Sequence, residues 1–446
     1  MNTSIKNLFL LPTLMAGLGL LPAGHVTAQT FTTLYNFGVN APHNPESGLV
    51  LSGNTLYGTA YGGNPSDGCV FGINTDGSGF AIVHGFTGLD GFAPTDGLIL
   101  SGNTLFGTAY RTVFAVNTDT SGFTILHSFV PGDGTYPVGG VVLSGNTLYG
   151  TASQSGIADM GTVFAVNTDS SGFSVLHYFT AITDSTNSDG GRPRSTLILS
   201  GSTLYGTANE GGSTSRGTVF AVTTDGLGFT NLHNFTAATN DGAFPYAGVI
   251  LSGNTLYGTT ASGGAHGYGT VFAVNTDGSG FTLLHSFIGS AGDGVTPVAG
   301  VILSGNTLYG TTYNGGNGGT VFAVNTDGTG FTVLHTFIAG EGGGPYGDLI
   351  LAGNTLYGTT MGGGTNGTGT VFSLTLPPPQ LAITPAGADV VLTWPVSATG
   401  FTLQSATNLV PPVVWITNSP APVIINGQNT VTNPVSGTQK FYRLSQ

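Results

Sequence analysis

The chain has 446 residues, enough for one large repeat array and a small second domain, and only 6% of them are charged. Its 7 Lys and Arg against 20 Asp and Glu form no basic cluster that could neutralise phosphates, so nucleic-acid binding is excluded. The 76 glycines follow no Gly-X-Y period, which excludes collagen, and 27 Phe with 16 Tyr supply too much core material for a disordered chain.

Residues 1–28 read as a secretory signal peptide: Lys6, an apolar stretch from Leu8 to about Leu21, then small residues ending at Ala28, with cleavage expected before Gln29. The mature protein is therefore expected to be exported, to the cell exterior, the periplasm or the outer surface. After cleavage no apolar run reaches the roughly 20 residues of a membrane helix, so it is not expected to be transmembrane. The one cysteine, Cys69, stands in a strand where other copies carry Thr, and reads as a small buried residue.

The mature chain opens with "FTTLYNF", Phe31 to Phe37, one strand without the rest of its unit. A regular array follows. "LSGNTLYGT" or a close variant begins at Leu51, Leu100, Leu143, Leu199, Leu251, Leu303 and Leu351, a period near 50 that marks a solenoid or a propeller. One unit divides into four strands. Strand A is "GVIL", and "SGN" turns into strand B, "TLYGTT"; a glycine-rich loop leads to strand C, "GTVFAVN". The turn "TDGSG" then leads to strand D, "FTLLHSF", and a longer loop bearing "DGxxP". Alternation within strand D predicts that Phe281, Leu283, His285 and Phe287 share one face. Four short strands per unit make a propeller blade. The array ends at "GTVFSLTL", Gly369 to Leu376, a strand C with no D behind it, so the opening strand is expected to complete the last blade. The expected fold is all-β: a seven-bladed β-propeller over residues 29–376, closed by its N-terminal strand.

After the proline spacer 377–379, residues 380–446 change composition. Short strands separated by Pro, Asn and Gly, with Trp394 and Trp415 as core anchors, predict a small fibronectin III-like β-sandwich.

The seven copies of "GNTLYGTT…GTVFAVNTDGSGFTxLHxF" resemble the GloVer tandem-repeat family of exported bacterial proteins, over roughly residues 31–376. The resemblance implies export, a repeat ring, and a C-terminal region that varies as an attachment module. It implies no catalytic residue.

The histidines of strand D (His84, His127, His177, His233, His285, His335) belong to different blades and are expected to be packed and hydrogen-bonded; no shared metal site is expected, and no cofactor. The Asp of "NTDGSG" is expected to bond the amide two residues on. Strand order puts the B–C and D–A loops at one end, and most of the length variation falls there. On that face Asp90, Phe92, Asp133, Tyr136, Asp241, Phe244, Tyr246, Asp293 and Tyr346 are the candidate ligand-binding residues, because aromatic rings stack on sugar rings or peptide planes while carboxylates accept their hydrogen bonds. No nucleotide loop, HExxH or GxSxG motif occurs. The expected role is an exported, monomeric binding or scaffold protein for a glycan or a cell-surface protein; the scarcity of basic residues is unsuited to anionic ligands and favours neutral glycans or another protein. A propeller-type lyase or glycosidase, or a structural surface-layer component, is the alternative.

Overall fold

In the computed structural model the described residues are 29–39, 42–63, 67–289, 292–377, 379–387, 389–395, 401–417, 421–425, 428–434 and 440–445. The signal-peptide reading of residues 1–28 lies outside them.

Strand C is apolar on both faces, and the reason is its position. In the unit Ile250–Ser252, Thr255–Thr260, Thr270–Asn275, Thr282–Ser286, the run Val271, Phe272, Ala273, Val274 is wholly buried. Phe272 and Val274 pack on the preceding sheet, Val271 and Ala273 on the following one. Between residues 30 and 375 the described chain forms seven such four-stranded antiparallel sheets, six in the order A-B-C-D. In the seventh the outer place is taken by Thr30–Asn36, which pairs antiparallel with Thr370–Thr375, Thr30 opposite Thr375 and Asn36 opposite Thr370. The apolar core therefore lies between sheets, in seven clusters that each join two neighbours. Fully burying one such Phe or Val is worth about 1.5–3 kcal/mol.

Two kinds of polar link repeat at the junctions. Near the inner edge, the strand B threonine donates its hydroxyl to a carbonyl just before the next sheet's strand A: Thr108 to Gly139 at 3.0 Å, Thr207 to Ala247 at 2.8 Å, Thr259 to Ala299 at 2.7 Å. Thr359 donates to Ser47 at 2.8 Å, joining the last sheet to the first. Toward the outer edge the strand D histidine stacks on the phenylalanine that opens the neighbouring strand D, as His84 does on Phe123 at 3.6 Å and His285 on Phe331 at 3.5 Å. His335 stacks on Phe31 and Tyr35 on Phe80, so the N-terminal strand makes the two contacts that complete the circuit. The array is all-β and propeller-like.

The expected single face of strand D is corrected by a β-bulge. Val271 opposes His285 and Phe272 opposes Leu283, leaving Leu284 as the extra residue. The bulge aims Leu284 and His285 the same way, so Leu284 and Phe287 pack on the following sheet while Phe281 packs on the preceding one. The same shift recurs in every other sheet.

The C-terminal residues form two further sheets, one of Ala382–Ala386, Asp389–Pro395, Gln428–Pro434 and Val423–Ile425, the other of Ile416–Thr417, Thr402–Ala406 and Phe441–Ser445. Leu392, Trp394, Leu403 and Val431 form their core. Trp415 is not a core anchor: it is half-buried, with the Arg443 guanidinium 4.4 Å over its ring.

Candidate functional site

The loops sort into two ends as strand order requires. The amide of each residue that follows strand C bonds the A–B turn, as Thr75 does to Asn54 and Thr276 to Asn254. At the other end the D–A loop pairs with the B–C loop: His43 with Gly62, Thr135 with Gln154, Gly191 with Glu210, Gly242 with Gly263. In the C–D turn each Asp accepts the amide two residues on, for example Asp76 from Ser78 at 2.9 Å and Asp327 from Thr329 at 2.9 Å.

The acids of the D–A loop go to the strand D histidines. Nε2 of His84, His127, His177, His233, His285 and His335 lies 2.9–3.2 Å from Asp90, Asp133, Asp189, Asp241, Asp293 and Glu341 respectively. The same carboxylates accept amides that follow strand D, such as Thr236 on Asp241 at 2.9 Å. Burial opposes ionisation of Asp189, but hydrogen bonds from His177 and Thr180 override it and hold the carboxyl below its ordinary range. Burial also depresses His127, His285 and His335, against the pull of their acids. In these three pairs a neutral imidazole donating to a carboxylate is the result, a charge-assisted hydrogen bond rather than an ion pair. Asp90, Asp133, Asp241 and Asp293 are thus engaged in locking the loop to strand D, and none of them lines the cavity described next.

That cavity, of about 460 Å³, is lined by residues from all seven sheets or the loops entering them, which places it where the ring's inner edges meet. Its wall is the short segment between the recurring proline and strand A. In the seven copies the residue after the proline is Glu46, Thr95, Val138, Arg194, Tyr246, Val298 and Tyr346. Two positions further on, five copies have glycine and the others have Thr196 and Asp348. Asp96 stands at the intermediate position, which is otherwise small. This segment keeps one length in all seven copies while its side chains change in size and charge.

Three carboxylates line this one space. Asp96 accepts Gly97 N at 2.6 Å, Gly140 N at 2.5 Å and the Thr196 hydroxyl at 2.8 Å, linking three sheets. Asp348 accepts Gly300 N at 2.7 Å. Asp348 is exposed, and it lines the cavity. Desolvation raises Asp96; it raises Asp348 to about 6, with the charge of Asp96 adding to it, and raises Glu46 to about 7. Among the described residues no three His, Cys, Asp or Glu gather closely enough to hold a metal ion.

Of the aromatic candidates, Tyr136, Tyr246 and Tyr346 line the cavity, joined by Tyr61. Burial raises the Tyr346 phenol to about 12, with Glu46 contributing. Phe92 stands one ring back, 4.3 Å from Tyr110, which in turn contacts Tyr136 edge-on at 5.2 Å. Phe244 lies under the Arg216 guanidinium at 5.2 Å and is not part of the wall. Sequence reasoning missed Glu46, Asp96, Arg194 and Asp348. The available signal was departure from the repeat: aligned on the proline, each of these is a charged residue at a position that is neutral in most copies. Cys69 is buried, and its thiol is pushed up to about 12, so it is no nucleophile.

No helix among the described residues is long and apolar enough to cross a membrane. No curated protein matches the sequence. Among solved structures, the chain is similar to the extracellular domain of BT4673 from B. thetaiotaomicron, described as a hybrid two component system, with 11% identity and a TM-score of 0.55 over 84% of this chain and 43% of that one. A second structure of that extracellular domain, described as a one component system, gives 11% identity and a TM-score of 0.53 over 88% of this chain and 48% of that one. The chain thus spans less than half the length of either, and at this identity the likeness concerns the fold alone. A family model matches residues 110–316 and 236–386, more than half of the chain and all of the repeat from its second B–C loop onward, and the protein belongs to the Gloeobacter/Verrucomicrobia repeat family.

Proposed function

We propose that the protein is an exported binding protein that takes a glycan in its axial cavity. The seven sheets act as seven blades of one closed propeller, residues 1–28 direct export, and residues 380–446 form a fibronectin III-like module, joined through 377–379, that serves surface attachment. One observation carries this reading. A cavity to which every sheet contributes is lined at positions where the copies differ in chemistry, and the differences include tyrosines, acids and one arginine. A structural ring would have no reason to vary there. Tyr61, Tyr136, Tyr246 and Tyr346 offer planar faces and phenols, and Glu46, Asp96 and Asp348 offer acceptors for sugar hydroxyls.

The test is a glycan array probed with residues 29–446, followed by Tyr246→Ala and Tyr346→Ala on each hit. Each substitution is expected to weaken binding by about tenfold, the range of one stacked aromatic. A blank array would turn the search to a cell-surface protein partner. Hits untouched by both substitutions would move the site away from the axis.

Carboxylates with raised pKa values, lining one cavity, also favour a second reading as a carbohydrate-active enzyme. Release of new reducing or unsaturated ends from a bound oligosaccharide, abolished by Asp348→Asn, would establish it.

A further inference from the structure

We propose that the cavity's ligand is an acidic saccharide whose uronate carboxylate is received by Arg194; this deepens the glycan-binding reading and rests on it. Arg194 follows Pro193 where the other copies have Glu, Thr, Val or Tyr, so the repeat does not require a cation there. Its guanidinium lies over the Tyr246 ring, 5.5 Å from the centroid, an arrangement that orients the group, and the residue lines the cavity.

Among the described residues no carboxylate pairs with Arg194, and its Nε is buried without a hydrogen-bond partner, which leaves the terminal Nη groups as the donors for a ligand. The absence is informative because three acids line the same cavity. Asp96 is taken up by Gly97, Gly140 and Thr196, and Asp348 by Gly300. A partly buried guanidinium with no direct hydrogen-bond acceptor is costly, and a carboxylate entering from outside would supply the acceptors.

The anion's chemistry follows from its surroundings. A guanidinium edge matches a carboxylate through two parallel hydrogen bonds. A phosphate dianion would place a second charge against Glu46, Asp96 and Asp348, which disfavours it. The same acids and the four tyrosines suit the hydroxyls and ring faces of a sugar carrying one carboxylate. The scarcity of basic residues that suggests neutral glycans is a property of the whole chain; a single unpaired arginine inside the cavity reverses it locally.

The experiment titrates residues 29–446 by calorimetry with glucuronate, galacturonate and mannuronate disaccharides, their neutral counterparts, and a sulfated neutral disaccharide. At least one uronate is expected to bind about tenfold or more tightly than its neutral counterpart. Arg194→Gln should abolish the preference, so that uronate and neutral sugar bind that variant with equal affinity, and Arg194→Lys should restore part of the difference. The Arg194→Gln protein should melt at or above the parent temperature, since it loses no protein hydrogen bond. Equal affinity for uronate and neutral sugars, or uronate binding that survives Arg194→Gln, overturns the inference and leaves glycan binding standing. Binding of the sulfated sugar alone overturns the carboxylate assignment. Failure of every sugar, here and on the array, overturns both.

Discussion

Asp189 is held by His177 at 3.0 Å and by the amide and hydroxyl of Thr180, with its side chain 5% exposed. Replacing it by Ala leaves those donors without an acceptor, and a loss of about 2–3 kcal/mol is expected by urea denaturation. Its five counterparts are more exposed or lack part of the set, so their Ala variants should lose less. The pairs also predict an acid response. His127, His285 and His335 have folded pKa values below the ordinary 6.5, so the unfolded chain binds the extra protons. Their contribution is complete above about pH 6.5 and is lost as pH falls below it. At the C–D turn, most copies place glycine after the Asp, but Thr120 adopts φ 72° there. Thr120→Gly removes the clash of a β-branched residue in the left-handed region and should stabilise by up to about 1 kcal/mol, read as a higher melting temperature.

Sheets are joined through paired links at their edges, and the threonines of strand B permit a controlled comparison. Thr359 donates to Ser47 O, and both are buried. Thr359→Val deletes the donor and strands the carbonyl, a loss of about 1–2 kcal/mol. Thr311 occupies the same place, but its buried hydroxyl has no partner. Thr311→Val is therefore expected to be neutral or stabilising, and chemical denaturation of the two variants side by side checks the contrast. Closure itself rests on Thr30–Asn36. Deleting residues 29–38 removes its pairing with Thr370–Thr375 and its stacking on His335 and Phe80, exposing a buried strand edge. A lower melting temperature and concentration-dependent association are expected; an unchanged melting curve would show that the ring does not depend on this strand.

At the scale of the whole molecule the axial cavity is a place where stability is given up. Glu46 and Asp348 are raised to about 7 and about 6, above their unfolded values of 4.5 and 3.8. The folded state therefore takes up protons before the unfolded chain does. These two groups weaken the fold at high pH, and the penalty fades as pH falls toward 4. The direction opposes that of the histidine pairs. Glu46→Gln combined with Asp348→Asn should raise the melting temperature by a few degrees, roughly, at pH 8 and leave it unchanged near pH 4. A difference independent of pH would mean that the gain comes from packing rather than charge.

The four-strand unit, its period and the displaced opening strand were legible in the sequence, because alternation, turn chemistry and repetition are local properties that each copy states again. The pairing of Phe31–Phe37 with the last unit followed from counting strands. The bulge in strand D was not legible, since an extra residue leaves the spacing of apolar residues almost unaltered while reversing which sheet they meet. Asp90, Asp133, Asp241 and Asp293 read as free loop acids because the histidines that hold them lie six or eight residues back across the start of a loop. The axial cavity belongs wholly to the tertiary structure. Glu46 and Tyr346 stand 300 residues apart in the chain, and Asp96 reaches Thr196 across 100. Only the closing of the ring brings them onto one wall, and a repeat read copy by copy averages away the few positions at which the copies differ.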